Sequence, residues 1–420
     1  SNVDVGSSTV LDPRVGASLQ ILGIPGTPVE LTSQKNEVIA NPYTTVGPFA
    51  QAGQWGGIVF RHDSDSGFDG VFLNTINQAV MSYGGGQVVV DSETQAFTAI
   101  QIEDTRPSLG FSTITANSSS AISATPNAFL ETDSRVGPDL RGNRLGLNSV
   151  NGLAVKIETQ FGVPVDTLDV AARFNSQEVP YVFTESLFIS GGAGGYEATR
   201  TKTGNVAVGS MVVTNLETTA DLRPGMQFSF ESGSEGTISR QIASIESPTS
   251  IRIQGAAFTT TEVQVPIVFD GPFSRPSGRL SIDPGVVLKF DNSRIELQPG
   301  MSQLFAEGET GDQIIFTSLN DNRFGAGGTF DTNGNQSNYL AATGVSSPFG
   351  NTGKWGGIFV GLNATASLDN IYLGFAGGTT PIEGGFADFN PIEVHRGNLR
   401  LANSRLEYNA DGDASGQSSP

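Results

Sequence analysis

The sequence predicts an all-β chain wound as a parallel solenoid. Three observations predict it: closely spaced turn residues, short stretches of period-two apolar alternation, and a long internal repeat. Gly 53 and Pro 21 make up about 18% of the 420 residues, against a usual share of roughly 12%, so the chain turns at close intervals.

The strand signal is local. Gln87-Val88-Val89-Val90, Ile100-Gln101-Ile102, Thr113-Ile114-Thr115 and Val286-Val287-Leu288-Lys289-Phe290 are short apolar or alternating stretches between Gly, Asn, Asp or Ser turns, and no amphipathic helix of three turns stands out. A recurring motif of Asn or Ser, a small residue and an aliphatic appears at Asn74-Thr75-Ile76, Thr113-Ile114-Thr115-Ala116-Asn117, Asn148-Ser149-Val150-Asn151-Gly152-Leu153, Asn292-Ser293-Arg294-Ile295 and Asn403-Ser404-Arg405-Leu406. In a solenoid each rung stacks its aliphatic on the next, while a corner Asn satisfies the turn backbone. A sandwich of hairpins is the competing fold, and it would need more two-residue Asn-Gly or Asp-Gly turns.

The repeat is long. Leu19-Gln20-Ile21-Leu22-Gly23 with Val29-Glu30-Leu31-Thr32-Ser33 matches Leu304-Phe305-Ala306-Glu307-Gly308 with Ile314-Ile315-Phe316-Thr317-Ser318 at an offset of 285. Gly53-Gln54-Trp55-Gly56-Gly57-Ile58 matches Gly353-Lys354-Trp355-Gly356-Gly357-Ile358 at 300, after a longer loop in the second copy. Ile100-Gln101-Ile102 with Ser112-Thr113-Ile114-Thr115-Ala116-Asn117 matches Ile392-Glu393-Val394 with Ser404-Arg405-Leu406-Glu407-Tyr408-Asn409 at 292. Such a period signals a repeat architecture, and one full period with part of a second reads as a cut from a longer array.

From about 203 to 269 the pattern changes. Gly209-Ser210-Met211-Val212-Val213, a turn over 221–226, Ile242-Ala243-Ser244-Ile245 and Ser250-Ile251-Arg252-Ile253 read as a compact β-sandwich or barrel module. Flanking Gly-rich segments at 191–195 and 271–276 read as its hinges. Rung-like sequence resumes at Gly278-Arg279-Leu280-Ser281-Ile282-Asp283-Pro284-Gly285, so the expected domains are a first solenoid part over 1–196, an inserted module over 197–272 and a solenoid continuation over 273–420.

The succession Leu280-Ser281-Ile282-Asp283-Pro284-Gly285-Val286-Val287-Leu288-Lys289-Phe290, Ile315-Phe316-Thr317-Ser318 and Lys354-Trp355-Gly356-Gly357-Ile358 is similar to the right-handed parallel β-helix repeats of large secreted bacterial surface proteins, in the pectate-lyase-like superfold. The resemblance covers most of the chain outside the insert and implies an extracellular or cell-surface location. It does not by itself imply one activity, because this superfold hosts lyases, hydrolases, adhesins and structural shafts.

Charge and composition narrow the function. A formal net charge of -19 repels nucleic-acid phosphates and anionic lipid surfaces, and no run approaches the roughly 20 apolar residues of a membrane span. Neither nucleic-acid binding nor membrane insertion is expected. Cys 0 excludes disulfides and thiolate metal sites.

Oxygen ligands are abundant, which makes Ca²⁺ the ion to consider. Asp63, Asp65 and Asp69 in one loop, and Asp331, Asn333 and Asn335 in another with Asp321 just before it, place oxygen side chains at alternating positions suited to a hard cation. Solvated Asx-turns are the plainer reading of the same residues.

Other candidates carry less. The two Trp-Gly-Gly-Ile motifs read as packing around tight turns, and His62 and His395 do not occupy equivalent repeat positions. Gly325-Ala326-Gly327-Gly328 lacks the Lys-Ser/Thr of a phosphate loop. The hydrolases of the superfold show a Gly-His-Gly segment and paired Asp residues, both absent here. Asp283, Lys289 and Arg294 are the residues that neighbouring strands would bring nearest to a lyase-like centre.

The expectation is therefore a non-enzymatic structural or adhesive repeat segment of a large extracellular bacterial surface protein. It would form a rod, filament or surface-layer element by end-to-end self-association or stacking on neighbouring repeats, with glycan or cell-surface contact through the insert. The alternative is a polysaccharide lyase, hydrolase or glycan-binding β-helix.

Overall fold

The computed structural model describes residues 18–36, 49–61, 72–90, 92–132, 135–157, 166–191, 200–219, 222, 226–270, 278–334, 352–382 and 384–410. They fall into two compact units. The larger, Ser18–Gly192 with Ser277–Pro420, is the parallel β-helix that the sequence predicts, built almost wholly of short strands paired in parallel across successive turns of the chain.

One sheet runs the length of this unit. Its nine strands are Ile58–Phe60, Ile100–Ile102, Ser120–Ala124, Val150–Val155, Tyr181–Phe183, Val287–Phe290, Ile314–Ser318, Ile371–Gly374 and Arg405–Glu407. Alternation assigns the two faces, because side chains on a strand point alternately to either side. In Val287–Phe290, Leu288 and Phe290 enter the core, while Val287 joins a small outer cluster with Ile315, Tyr372 and Phe324. Phe183 stacks on Phe290 at 4.8 Å, and Trp355 stacks on Phe290 at 4.2 Å, so aromatic rings line up inside the solenoid.

The other faces change partway along. Up to Val150–Val155 the continuous sheet is accompanied by two four-stranded sheets, one ending at Asp139–Arg141 and the other at Arg144–Gly146. From Ala171–Phe174 onward its companions are a five-stranded sheet beginning with that strand and a four-stranded sheet beginning at Leu187–Ile189. This junction forms a seam in the solenoid, bridged by the continuous sheet through Leu153↔Tyr181.

The repeat holds hydrogen bond by hydrogen bond. Trp55 Nε1 donates to Ser82 O at 2.9 Å and Trp355 Nε1 to Gly374 O at 2.9 Å. Gly84 N is bound by Asn117 Oδ1 at 2.7 Å and Ala376 N by Asn409 Oδ1 at 2.8 Å. An antiparallel hairpin follows in each copy, Gln87–Val90 with Glu93–Ala96 and Thr379–Ile382 with Gly385–Asp388. The Trp-Gly-Gly turn needs its second glycine for contact reasons: a Cβ on Gly57 would lie 2.1 Å from Thr98 O, and one on Gly357 2.3 Å from Pro391 O.

The copies nevertheless occupy different faces. Thr113–Thr115 belongs to a companion sheet, whereas its equivalent Arg405–Glu407 belongs to the continuous sheet. The repeat is turned by one face across the seam.

Corner asparagines behave as the motif implied. Buried Asn148 receives Asn117 N at 3.1 Å and Asn117 Nδ2 at 2.7 Å, and donates to Ile114 O at 2.9 Å. Asn151 Oδ1 in turn receives Asn148 N at 3.0 Å. Side chains inside the rung stack thus satisfy the turn backbone.

The second unit includes residues 200–270. Their six-stranded antiparallel sheet has the spatial order Arg200–Val206, Glu262–Asp270, Gln227–Ser232, Gly236–Ser247, Ser250–Gln254 and Val212–Val213. It has a core of its own around Phe228, Phe230, Ile251, Phe258 and Ile267. The predicted turn residues Asp221 and 223–225, and the hinges apart from Gly191, lie outside the described residues.

The two tryptophans supply a test of the repeat. Trp355 is 0% exposed and Trp55 only partly buried, so Trp355→Phe is expected to cost about 2–3 kcal/mol and Trp55→Phe about half of that. Urea unfolding of each single-Trp variant checks this, and the variant retaining Trp355 should show the bluer emission.

Candidate binding cleft

The seam opens a cleft of about 600 Å³. One wall is the last strand of its sheet, Asp139–Arg141, with Arg135 and Pro138 before it. The other is the turn Asn175, Ser176, Gln177 and Glu178 that follows Ala171–Phe174, the first strand of the sheet beyond the seam. Because neither strand continues its neighbour's ladder, groups that a further rung would cover face the opening.

Local hydrogen bonds hold these side chains. Arg141 Nε pairs with Asp139 Oδ1 at 2.8 Å on a well-exposed surface, and Arg135 donates to Ser108 Oγ at 2.8 Å and Gly137 O at 3.3 Å. Its guanidinium lies 4.8 Å from the Phe72 ring centroid, alongside that of Arg106 at 4.7 Å. Glu178 reaches across the seam to accept the N–H of Gly142. Gln177 Nε2 donates to Pro284 O at 2.7 Å, and buried Tyr181 accepts Ser176 N through its hydroxyl at 3.1 Å. Burial raises the Tyr181 pKa, so the phenol stays neutral. Guanidinium, carboxylate and amide groups thus converge with donors and acceptors interleaved, an arrangement that matches a polyhydroxylated ligand better than a purely ionic or apolar one.

The predicted cation ligands fall elsewhere. Asp63, Asp65, Asp69 and Asn335 lie outside the described residues, as does His62. Asp321, Asp331 and Asn333 share the loop after Ile314–Ser318, which lies over the outer face of the continuous sheet: Asn151 N donates to Thr332 O at 2.7 Å, Asn151 Nδ2 to Asp331 O at 2.9 Å and Lys289 Nζ to Phe330 O at 3.1 Å. Buried Asp321 receives Arg323 Nε at 2.8 Å, Arg323 Nη2 at 2.9 Å and Thr317 Oγ1 at 2.6 Å. Asn333 Nδ2 donates to Asn320 Oδ1 at 2.6 Å.

Lys289, 0% exposed, stands beneath this loop. Burial pushes its pKa down to about 8, opposed by the charges of Asp321 and Asp331. Burial also works against the Arg323 charge, but its hydrogen bonds to Asp321 outweigh that and leave the guanidinium above its ordinary range. Its guanidinium lies 5.2 Å from the Phe375 centroid and 5.3 Å from that of Tyr408. A divalent cation here would meet two protein cations already facing the same carboxylates, and no group of three His, Cys, Asp or Glu side chains gathers among the described residues.

The lyase-like trio is dispersed. Asp283 accepts Arg173 Nε at 2.7 Å, Lys289 lies under the loop, and Arg294 donates to Glu296 and to Thr380 Oγ1 at 3.2 Å. They belong to, or directly follow, strands of three different sheets. His395 is exposed beside Glu393, at 3.3 Å.

No protein-family model and no curated protein matches the chain. Among solved structures, it is similar to the Gp54 tailspike of Acinetobacter baumannii bacteriophage AP22, in complex with A. baumannii capsular saccharide. The two are 8% identical with a TM-score of 0.16, over 73% of this chain and 53% of that one. The chain spans about half the length of that tailspike. No helix among the described residues is long and apolar enough to cross a membrane.

Lys289 yields a pH signature. Its folded pKa of about 8 lies below the ordinary 10.5, so between these values the folded state binds fewer protons than the unfolded one and stability rises with pH. The gain is about 3 kcal/mol at most. Urea unfolding from pH 7 to 10 should show this rise in the wild type, and Lys289→Met should flatten it; an unchanged slope in the variant would refute the assignment.

Proposed function

We propose that this chain is an extracellular β-solenoid segment that binds a glycan, without cleaving it, in the seam cleft. The observation that supports this reading is the cleft itself, where two companion sheets stop and Arg135, Asp139, Arg141, Asn175, Gln177 and Glu178 converge on one opening. Sugar hydroxyls are donor and acceptor at once, and planar guanidinium, carboxylate and amide groups are suited to grip them in pairs. Asp139 and Glu178 are engaged with Arg141 and the Gly142 N–H, which favours binding over acid–base chemistry. The tailspike's capsular saccharide belongs to that protein; the proposal here rests on the cleft.

A second reading retains the expected rod. The same hydrogen bonds recur in the second copy, from Trp55 and again from Trp355, and to Asn117 and again to Asn409, as in an array whose stability comes from stacking like units. Display of a glycan site on such a shaft satisfies both readings.

Screening the purified chain against an array of neutral and acidic glycans, followed by calorimetry on the hits, tests the binding reading. Arg141→Ala is expected to weaken a hit by about tenfold with little change in melting temperature, and Glu178→Ala to weaken it by a similar factor while lowering the melting temperature by about 2–4 °C, because its bond to Gly142 N spans the seam. An empty array, or hits insensitive to both substitutions, would remove the cleft from consideration.

A further inference from the structure

We propose that Phe111 is the stacking platform of the seam cleft, and that the ligand it takes is a hexopyranose with an unbroken axial C–H face, of β-gluco or galacto configuration. This rests on the cleft reading above and names the sugar surface that the site recognises.

Position comes first. Phe111 N donates to Arg141 O at 2.7 Å, so the residue sits one rung below the cleft wall. Its ring lies directly over Gly142: a Cβ on that glycine would be 2.6 Å from Phe111 Cδ1. Gly142 is the residue whose N–H Glu178 binds. The ring therefore lies over the residue that follows Arg141 of the cleft wall and that Glu178 binds, and Phe111 is 60% exposed.

Backbone strain is an independent observation. Phe111 has φ 49°, in the left-handed region, as have Gln78 and Gly142 in the same corner column at 52° and 62°. A bulky side chain there is disfavoured, whereas Gly and Asn enter it at little cost. At the equivalent place in the second copy, 292 residues on, stands Asn403 at φ 47°, next to Asn370 of its own column, also at φ 47°. An exposed ring thus replaces the residue type that this conformation prefers. The corners carry this conformation at other bulky residues too, Leu147 at φ 60° among them, so at Phe111 it counts together with the ring's place over Gly142.

The chemistry follows from the ring. Phenylalanine offers an apolar face with no hydrogen-bonding group, so it selects the C–H face of a sugar, leaving the hydroxyls to Glu178, Arg141 and Asp139.

The test pairs stability with binding on the full chain, using β-linked gluco- and galacto-oligosaccharides of three to four units. Phe111→Asn, which installs the second copy's residue, should leave the melting temperature unchanged or raise it by about 1–2 °C, yet weaken binding about fivefold or more. Phe111→Trp should retain binding. In NMR spectra, the axial sugar protons should shift upfield on the wild type and lose that shift on Phe111→Asn. If Phe111→Asn binds like wild type while Glu178→Ala does not, the platform is wrong and the cleft stands. If Phe111→Asn loses binding only with a large fall in melting temperature, Phe111 is structural and the proposal fails. Absence of binding by the wild type overturns cleft and platform together.

Discussion

In-register parallel pairing along one sheet is the constraint on which the solenoid unit depends. Each strand of the nine-stranded sheet must place its inward residue over that of the strand before, as Ile100, Ile122 and Leu153 do, and then Tyr181 and Leu288. A one-residue slip would turn every core side chain outward. Corners follow from this: the chain must change direction in a residue or two, so positive φ recurs at Tyr83 and Ala116, and again at Phe375 and Tyr408. The buried Asn117–Asn148–Asn151 ladder then supplies the hydrogen bonds that such abrupt corners cannot make within a strand.

The seam is where that constraint is relaxed. A solenoid's stability is close to a sum of interfaces between neighbouring rungs, so stopping two sheets between one pair of rungs weakens the stack locally and leaves the continuous sheet to carry it across. Glu178 and Gly142, and Gln177 and Pro284, provide part of the replacement, and the 3-10 helix Pro126–Phe129 leads into Glu131, whose N–H donates to Ala171 O at 2.8 Å. What remains uncovered is the cleft. The loop bearing Asp321 and Asp331 does the opposite, closing over the continuous sheet with Lys289 beneath it.

Much of the fold was legible in the sequence. Tryptophan and glycine mark the repeat because the indole hydrogen bond and the close backbone approach at Gly57 and Gly357 tolerate few substitutes. Alternation marked the antiparallel residues at 212–213 and 250–254, since pairing Ile251 with Val213 needs only the period of two. The cleft was not legible, because it depends on which strand stacks on which: Arg141 and Glu178 meet only where the repeat turns by one face. The acidic loop was legible as a set of oxygen ligands but not as the partner of Lys289, from which three intervening strands separate it along the chain. Phe111 opposite Asn403 was visible in the aligned copies, though its meaning needs the sign of φ.

A repeat also shows where one copy departs from the other, and these departures can be weighed physically. Tyr83 and Phe375 occupy equivalent left-handed corners, but Phe375 is fully buried and stacks on Tyr408 at 5.6 Å, so packing accounts for its aromatic character. Phe111 has no comparable burial, and its counterpart has dispensed with the ring. Phe111 and Asn403 share a backbone conformation, and only Phe111 carries a ring, 60% exposed and set over Gly142. The copy that keeps the ring is the one beside the open seam, as the proposed platform requires.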